Sequence, residues 1–331
     1  MKSVANKYFK TMNNQIKVLI TGAAGNLGGL LAKHLKQNEN INLNLMFHKK
    51  DVAHELKDSK INVIRADLSK KETLYPALKN IDVIVHFAGI LFKPNPEKFL
   101  PITNTEYFRN LVDVAIEQNV KRIILCSFPH VEGETFPDKP ATGKLDGKPT
   151  SAHARTRLEE EKYMFLKAEN NSFEAVSLRL GMVYGRGILM MDVAKLLAKY
   201  WLLGIWKKPT WVHFISTIDF LKAFENAIIK PNIKGIYHLG DDGVQTLQDY
   251  FEVACPQWKH KKPWHLPLGL IMTFAHCCEI YSSIFKTRSL LTRDFIKIGY
   301  VSYYGDTKRM KEDLLPELKY KTFKEGLETF K

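Results

Sequence analysis

The chain has little cysteine, and the four cysteines it contains are not spaced as a disulfide framework or a metal site would require. They are Cys126, Cys255, Cys277 and Cys278. Their scarcity favours a reducing compartment, so we expect a cytoplasmic protein without a bound metal. Residues 1–13 are polar and lysine-bearing and lack the apolar core of a secretory signal, and we interpret them as a flexible leader.

Acidic residues are scarce relative to basic ones. The chain has 35 Asp and Glu against 49 Lys and Arg, which gives a formal net charge of +14. The lysines are scattered in short pairs such as Lys49-Lys50 and Lys207-Lys208, which is typical of a solvated surface rather than of a nucleic-acid-binding stripe. We therefore expect no specific nucleic acid as a partner, and a nucleic-acid binder is the weakest function class.

Glycine is concentrated in the stretch KVLITGAAGNLGGLL at residues 17–31. A short apolar run is followed by a turn with three evenly spaced glycines and then by a helical pattern. Glycine allows a sharp turn and a close approach of the backbone to a pyrophosphate, which the helix N-terminus attracts. The alternative is an ordinary glycine-rich turn, but the strand before it and the helix after it predict a dinucleotide site. Its predicted residues are Gly22, Ala24, Gly25, Asn26, Leu27 and Gly28.

Strand and helix patterns alternate from this loop to about residue 180. Such alternation predicts an α/β fold with a Rossmann-type, doubly wound parallel sheet and a smaller C-terminal substrate lobe. We expect the NAD(P)-binding domain at 14–180, with returns to the sheet at about 212–240, and the substrate lobe at 181–211 and 241–331. The predicted returns are Ile215–Asp219 and Gly235–Gly240. The segment 133–150 is long for a connection and is a candidate active-site lid.

The second predicted strand, at 41–47, is followed by His48 and Lys49 instead of the carboxylate that binds the ribose hydroxyls of NAD. Positive charge here suits a 2′-phosphate, so we predict that NADP is preferred to NAD as cofactor. The alternative is that both are exposed basic residues of a loop.

Further motifs follow along the chain: Asp67-Leu68, His86-Phe87-Ala88-Gly89, Asn104 with Asn110, and Leu178–Gly185. With the glycine loop, they resemble motifs of the extended short-chain dehydrogenase/reductase family, which includes epimerases, dehydratases and 3β-hydroxysteroid dehydrogenases. The resemblance implies an NAD(P)-dependent oxidoreductase or epimerase/dehydratase-like enzyme that acts on a hydroxyl or keto group of a small-molecule substrate. It also implies pairing as a homodimer. The further cofactor-binding residues implied are Asp67, Leu68, Phe87, Ala88, Gly89 and Asn104.

The family's catalytic Y-x-x-x-K motif is replaced in this chain. Counting back from Glu161, the glutamate of the family pattern, places Arg157 at the lysine and His153 at the tyrosine. Residues i and i+4 share a helix face, so His153 can act as a general base beside Arg157, whose charge disfavours imidazolium. At the family's serine position stands Phe128 or, with a shift of one residue, Ser127. We predict His153, Arg157 and Ser127 as catalytic residues; the alternative is a catalytically retired NAD(P)-binding regulator or scaffold.

The stretch Trp264–Phe285 is apolar but is interrupted by Pro267, His276 and Glu279. We expect a helix of the substrate lobe here. The alternative is weak contact with a membrane surface through residues 258–285, because lysines precede the apolar run.

Overall fold

The structure is a computed structural model that describes residues 15–90, 93–287, 289 and 291–330. The predicted leader at 1–13 lies outside these residues. Within them, no helix is both long and apolar enough to cross a bilayer.

A sheet of seven parallel strands lies at the centre of the fold. The strands are β1 (Ile16–Thr21), β2 (Ile41–Phe47), β3 (Asn62–Arg65), β4 (Val83–His86), β5 (Arg122–Ser127), β6 (Glu174–Leu180) and β10 (Gly235–Leu239). Their spatial order is β10-β6-β5-β4-β1-β2-β3, and in the register Val18 pairs with Leu43 on one side and Val83 on the other. The order reverses between β1 and β4, and ligands of such sheets bind at the carboxyl ends of the strands beside this switch point. The predicted fold class is confirmed.

Helices cover both faces of the sheet, because side chains alternate between the faces along each strand. Val18 packs on one face with Leu31 and Phe224, whereas its neighbour Leu19 packs on the other face with Leu111. The helices are α1 (Asn26–Leu35), α2 (Lys71–Leu78), α3 (Tyr107–Glu117), α4 (Ala152–Glu169), α5 (Leu189–Lys199), α6 (Thr217–Ile229), α7 (Leu247–Gln257), α8 (Leu268–Ile284) and α9 (Arg293–Tyr300).

Two small parallel sheets lie outside the main sheet. In one, β7 (Met182–Tyr184) pairs with β9 (Phe214–Ser216), and in the other β8 (Gly204–Trp206) pairs with β11 (Trp264–Leu266). The return predicted at Gly235–Gly240 is confirmed by β10, but the one at Ile215–Asp219 is wrong. Ile215 and Ser216 do lie in a strand, β9, but this strand pairs with β7 and not with the main sheet. It ends at Ser216, whose hydroxyl accepts a hydrogen bond from the backbone N–H of Asp219 (3.0 Å) and caps α6.

The segment 133–150 is fastened to the C-terminal part of the chain and to the turn after β5. The backbone N–H of Ala141 donates to the carbonyl of Tyr304 (2.8 Å), and that of Thr135 donates to the carbonyl of Ser302 (3.1 Å). The Glu132 carboxylate accepts from the N–H of Gly143 (2.7 Å). A role as lid stays a prediction.

Candidate functional site

The glycine loop is packed against the end of β4 without room for side chains. Gly22 has a φ of +74°, and a Cβ placed on it would lie 2.7 Å from the backbone nitrogen of Ala88. A Cβ on Gly28 would lie 2.6 Å from the carbonyl oxygen of Gly22. The loop therefore requires glycine at both positions, and it brings the predicted residues of β1, α1 and the β4 exit together.

The N-terminus of α1 is suited to an anion. Its N-cap residue Gly25 offers no side-chain acceptor, and the first turn contains no acidic residue, so the N–H groups there are not satisfied by a cap. The side chain of Asn26 is engaged within the protein, and its role in binding the cofactor stays a prediction. Its amide donates to the carbonyl of Gly187 (2.6 Å) and accepts from the N–H of Leu189 (2.9 Å), so it ties the loop to the start of α5.

The residues predicted for the adenosine end lie at the carboxyl ends of β2 and β3. The imidazole Nε2 of His48 is 3.3 Å from a carboxylate oxygen of Asp67, and Lys49 is exposed. Asp67 also accepts hydrogen bonds from the backbone N–H and hydroxyl of Ser69 (2.9 and 2.8 Å). The Leu68 carbonyl accepts from the side chain of Asn110 (3.0 Å), which holds this turn against α3.

The exit of β4 forms the floor of the site. His86 is buried, and its Nδ1 lies 2.8 Å from the hydroxyl of Thr21 on the neighbouring strand. Burial, assisted by the nearby charge of Arg157, holds the pKa of His86 well below its usual value, so this imidazole is neutral. The following Phe87 stacks on Phe224 with ring centroids 5.0 Å apart, which fixes the turn that carries Ala88 and Gly89.

The N-terminal turns of α4 carry His153 and Arg157. The helix begins after Ser151, whose hydroxyl accepts from the N–H of Ala154 (3.2 Å). Arg157 is buried and lies beside the β4 exit, since a Cβ on Gly89 would be 3.1 Å from its Nη2. Its Nη1 donates to the carboxylate of Glu160 (2.6 Å), whose pKa burial raises to about 7.

His153 faces α9. Its side chain is only 7% exposed, and its Nε2 lies 3.4 Å from the carboxylate of Asp294 on α9. Burial, together with the charge of Arg157, lowers the pKa of His153 to about 4, so the imidazole is neutral at physiological pH. Burial also raises the pKa of Asp294. Asp294 was missed by sequence reasoning, because nothing in the local pattern of α9 marks it as a partner of α4.

Several buried polar atoms on or near α4 lack partners within the described ranges, and two of them are the hydroxyl of Ser127 and the side-chain oxygen of Asn104. Ser127 is the last residue of β5 and is not hydrogen-bonded to His153. The amide nitrogen of Asn104 donates to the hydroxyl of Thr156 (3.2 Å). Asn104 lies in a π-helical turn, Pro101–Glu106, a local geometry frequent at functional sites. Both orphaned atoms are available to a ligand, since buried polar groups are normally paired.

A buried ion cluster holds α4 in place. Arg179 on β6 is fully buried and donates to both carboxylate oxygens of Glu161 on α4 (3.1 and 2.6 Å). It also pairs with Glu132 and donates to the carbonyl of Lys144 (2.7 Å). Glu161 is one turn beyond Arg157, so this cluster fixes the helix that carries the candidate catalytic pair.

In the described residues, no group of three or more His, Cys, Asp or Glu side chains could hold a metal. A dinucleotide, in contrast, fits the groups that the described residues offer: a side-chain-free glycine cradle, an uncapped helix N-terminus, the unpartnered hydroxyl of Ser127 and the unpartnered side-chain oxygen of Asn104.

Comparison with known proteins agrees with the fold described above. The chain is 26% identical over 291 residues to UDP-glucose 4-epimerase from Vibrio cholerae, covering 83% of this chain and 84% of the relative. Its fold is similar to a UDP-glucose 4-epimerase from Thermotoga maritima solved with UDP-glucose (TM-score 0.73, 17% identity, 95% and 97% coverage). It is also similar to a UDP-glucuronic acid 4-epimerase from Bacillus cereus in complex with UDP-glucuronic acid and NAD (TM-score 0.72, 18% identity, 95% and 97% coverage). Residues 18–202 match the sequence model of the NAD dependent epimerase/dehydratase family. Because this match spans more than half of the sequence, the chain belongs to the NAD dependent epimerase/dehydratase family.

Proposed function

We propose that the protein is an NAD(P)-dependent oxidoreductase or epimerase-like enzyme that acts on a hydroxyl or keto group of a nucleotide sugar. The observation that carries the proposal is the placement of His153 and Arg157 on one face of α4, with Arg157 against the β4 exit at Gly89. The substrate class is taken from the curated relative named above, an epimerase of UDP-glucose.

The glycine loop and the N-terminus of α1 hold the pyrophosphate, and Asp67 with Leu68 lines the adenosine end. Phe87, Ala88 and Gly89 support the inner ribose, and Arg157 and Asn104 hold that end of the dinucleotide. A dinucleotide held in this way would supply reversible hydride transfer at the carbon that bears the substrate hydroxyl.

His153 takes the hydroxyl proton during oxidation. Neutral imidazole is the form that accepts a proton, and burial and Arg157 keep His153 neutral down to a pH of about 4. Reduction needs imidazolium as proton donor, so the reverse reaction is slow near neutral pH. Ser127, whose hydroxyl has no partner in the described structure, supplies a hydrogen bond to the same substrate oxygen.

We further propose that NADP is preferred to NAD, because His48 and Lys49 follow β2 where a carboxylate would bind the ribose. His48 already contacts Asp67 at 3.3 Å, so exposed Lys49 carries most of the preference. The B. cereus relative was solved with NAD. The preference for NADP is therefore proposed from the residues of this chain alone.

The cofactor proposal is tested by titration calorimetry with both nucleotides. Lys49→Ala should weaken NADP binding by about 10- to 150-fold, equivalent to the roughly 1.5–3 kcal/mol of a charge-assisted phosphate contact, and leave NAD binding unchanged. Lys79→Ala, a change of another exposed lysine in the same domain, is the matched control. Tighter binding of NAD than of NADP by the unmodified protein contradicts the proposal.

A second candidate function is a catalytically retired NAD(P)-binding regulator or scaffold. The observation that favours it is the contact of Asp294 with Nε2 of His153, which closes that side of the imidazole. In this case α9 stays in place and no substrate reaches His153.

Turnover distinguishes the two candidates. We expect the protein to oxidise or epimerise at least one member of a panel of UDP-sugars, and His153→Ala to lower turnover by about 10² to 10⁴ with nearly unchanged nucleotide affinity. His260→Ala, which changes a histidine of the chain far along the sequence from the site, is the matched control. Tight nucleotide binding without turnover of any panel member favours the regulator; equal turnover by His153→Ala contradicts the role of His153.

The domain bounds also remain proposals. We assign residues 14–180, with a return at β10, to the nucleotide domain, and 181–211 and 241–331 to the substrate lobe. A homodimer formed through helices of the nucleotide domain is part of the proposal and is tested by light scattering of the purified protein.

A further inference from the structure

The outer face of α8 is apolar although it points to solvent. Leu270, Phe274, Tyr281 and Ile284 are 59%, 63%, 59% and 66% exposed. Their spacing of four, seven and three residues places them on one side of the helix. The side packed against the lobe is formed by a different set, with Ile271 and Ala275 buried.

Exposed aromatic residues adjoin this helix. Trp201 and Trp264 are 48% and 43% exposed, with ring centroids 4.3 Å apart, and the indole N–H of Trp264 donates to the carbonyl of Trp201 (3.0 Å). Leu202, next to them, is 68% exposed. Trp264 begins β11, which leads through Pro267 directly into α8. We call the outer face of α8 and these three residues the α8 patch.

Positive charge surrounds the α8 patch. Residues 194–208 and 258–286 each contain four lysines, and the only acidic residue in either stretch is Glu279. Glu279 is buried and is paired with Arg293 (2.7 Å), so it does not offset these lysines. Acidic residues outside the two stretches do pair with two of them, Glu252 with Lys262 (2.5 Å) and Glu134 with Lys208 (3.5 Å). Lys261 extends over the ring of Trp201, with its Nζ 4.1 Å from the centroid.

A contiguous exposed apolar surface of this kind marks an interaction site. Aliphatic side chains on one helix face, tryptophans beside them and lysines at the rim match the three layers of a lipid interface: acyl chains, the headgroup boundary and anionic headgroups. A second copy of the chain is a poorer match, because a symmetric contact would set one group of lysines against the same group on the other copy.

We propose that the α8 patch binds the surface of an anionic lipid bilayer, with α8 lying in the plane of the interface. The helix is too short and too interrupted to cross a bilayer, so the contact is peripheral and reversible. The proposal does not depend on the enzymatic function proposed above.

Co-sedimentation of the full chain with vesicles tests the proposal. One set of vesicles is phosphatidylcholine alone, and the other contains phosphatidylglycerol at about one third. We expect binding to the anionic vesicles that is at least ten times tighter than to the neutral ones and that weakens as salt is raised. Absence of binding to the anionic vesicles by the unmodified protein overturns the proposal.

Matched variants separate the patch from net charge and from general hydrophobicity. Phe274→Glu should lower the fraction bound at least tenfold, whereas Leu166→Glu, at a residue of α4 that is 57% exposed, should leave it unchanged. Lys259→Glu/Lys261→Glu should likewise reduce binding, and Lys79→Glu/Lys148→Glu should have much less effect. Equal losses in the patch and control variants overturn the assignment. So does a dimer in light scattering that Phe274→Glu dissociates, together with no vesicle binding, because the second copy is then the occupant.

Discussion

Replacement of Arg179 should strongly lower the free energy of unfolding, because this residue is buried between two carboxylates. It is fully buried between Glu161, also fully buried, and Glu132, whose side chain is 8% exposed. Arg179→Met removes the guanidinium and leaves both carboxylates in place. Glu161 then still accepts a hydrogen bond from the hydroxyl of Ser177 (2.7 Å), and Glu132 still accepts hydrogen bonds from the N–H groups of Thr142 and Gly143.

The expected cost follows from these contacts. Breaking a buried ion pair by removing one partner costs roughly 3–5 kcal/mol, because a charge remains buried without compensation. Although burial opposes it, the hydrogen bond of His238 and the charge of Arg179 lower the pKa of Glu132 to about 2. Without Arg179 the pKa of Glu132 rises from about 2 toward its unfolded value. The stabilisation that this lowered pKa gives at neutral pH becomes smaller, so the deficit is fully present above the unfolded pKa and shrinks as the pH is lowered toward about 2.

Urea denaturation followed by circular dichroism measures the effect. Arg179→Met should lose about 3–5 kcal/mol, and Arg179→Met/Glu161→Gln should recover part of the loss because the buried charge is gone. The control is Arg155→Met on α4, whose ion pair with Glu97 is exposed and should contribute less than about 1 kcal/mol. A loss below about 1 kcal/mol for Arg179→Met, or a double variant no more stable than the single one, refutes the reasoning.

Three further predictions concern the glycine loop, acid stability and α8. Gly28→Ala should abolish measurable dinucleotide binding in calorimetry, because its Cβ would lie 2.6 Å from the Gly22 carbonyl; unchanged affinity contradicts the packing described. Burial lowers the pKa values of His130, His153 and His213 to about 4 each, below the unfolded value of about 6.5. The unfolded state therefore binds more protons between these values, and the free energy of unfolding should fall as pH is lowered through this range, by up to ~1.4 kcal/mol per pH unit for each histidine. A urea midpoint that stays constant over this pH range contradicts the prediction. Gly269→Ala should raise the urea midpoint by an amount equivalent to no more than ~1 kcal/mol, because a Cβ there meets open space; a lower midpoint shows that the site is not open.

The parts of the fold with strong local signals could be predicted from the sequence. The strand at 41–47 has the predicted bounds, because its apolar residues, mostly alternating with Asn42 and Asn44, are bounded on both sides by polar residues. The glycine loop also forms as predicted, since its conformation depends on the missing Cβ atoms of the loop itself. The return predicted at Ile215–Asp219 was wrong because the local pattern predicts a strand but not its partner, and β9 pairs with β7 instead of joining the main sheet.

The candidate site was less predictable, because its contacts join distant parts of the chain. The pairing of His48 with Asp67 crosses two strands, and that of His153 with Asp294 joins α4 to α9. Neither contact has a signal in the local sequence. The i to i+3 contact of Arg157 with Glu160, in contrast, lies within one helix turn and could have been inferred.

The central claim is that His153 moves the substrate proton in a dinucleotide-dependent reaction. The measurement that tests it most directly is the single-turnover rate of nicotinamide reduction by a UDP-sugar, followed by absorbance over a range of pH in the unmodified protein and in His153→Ala. We predict a rate that is constant from about pH 5.5 to 8, falls as pH approaches the histidine's pKa of about 4, and is lower by about 10² to 10⁴ in His153→Ala. An equal rate and the same pH profile in His153→Ala would contradict the claim.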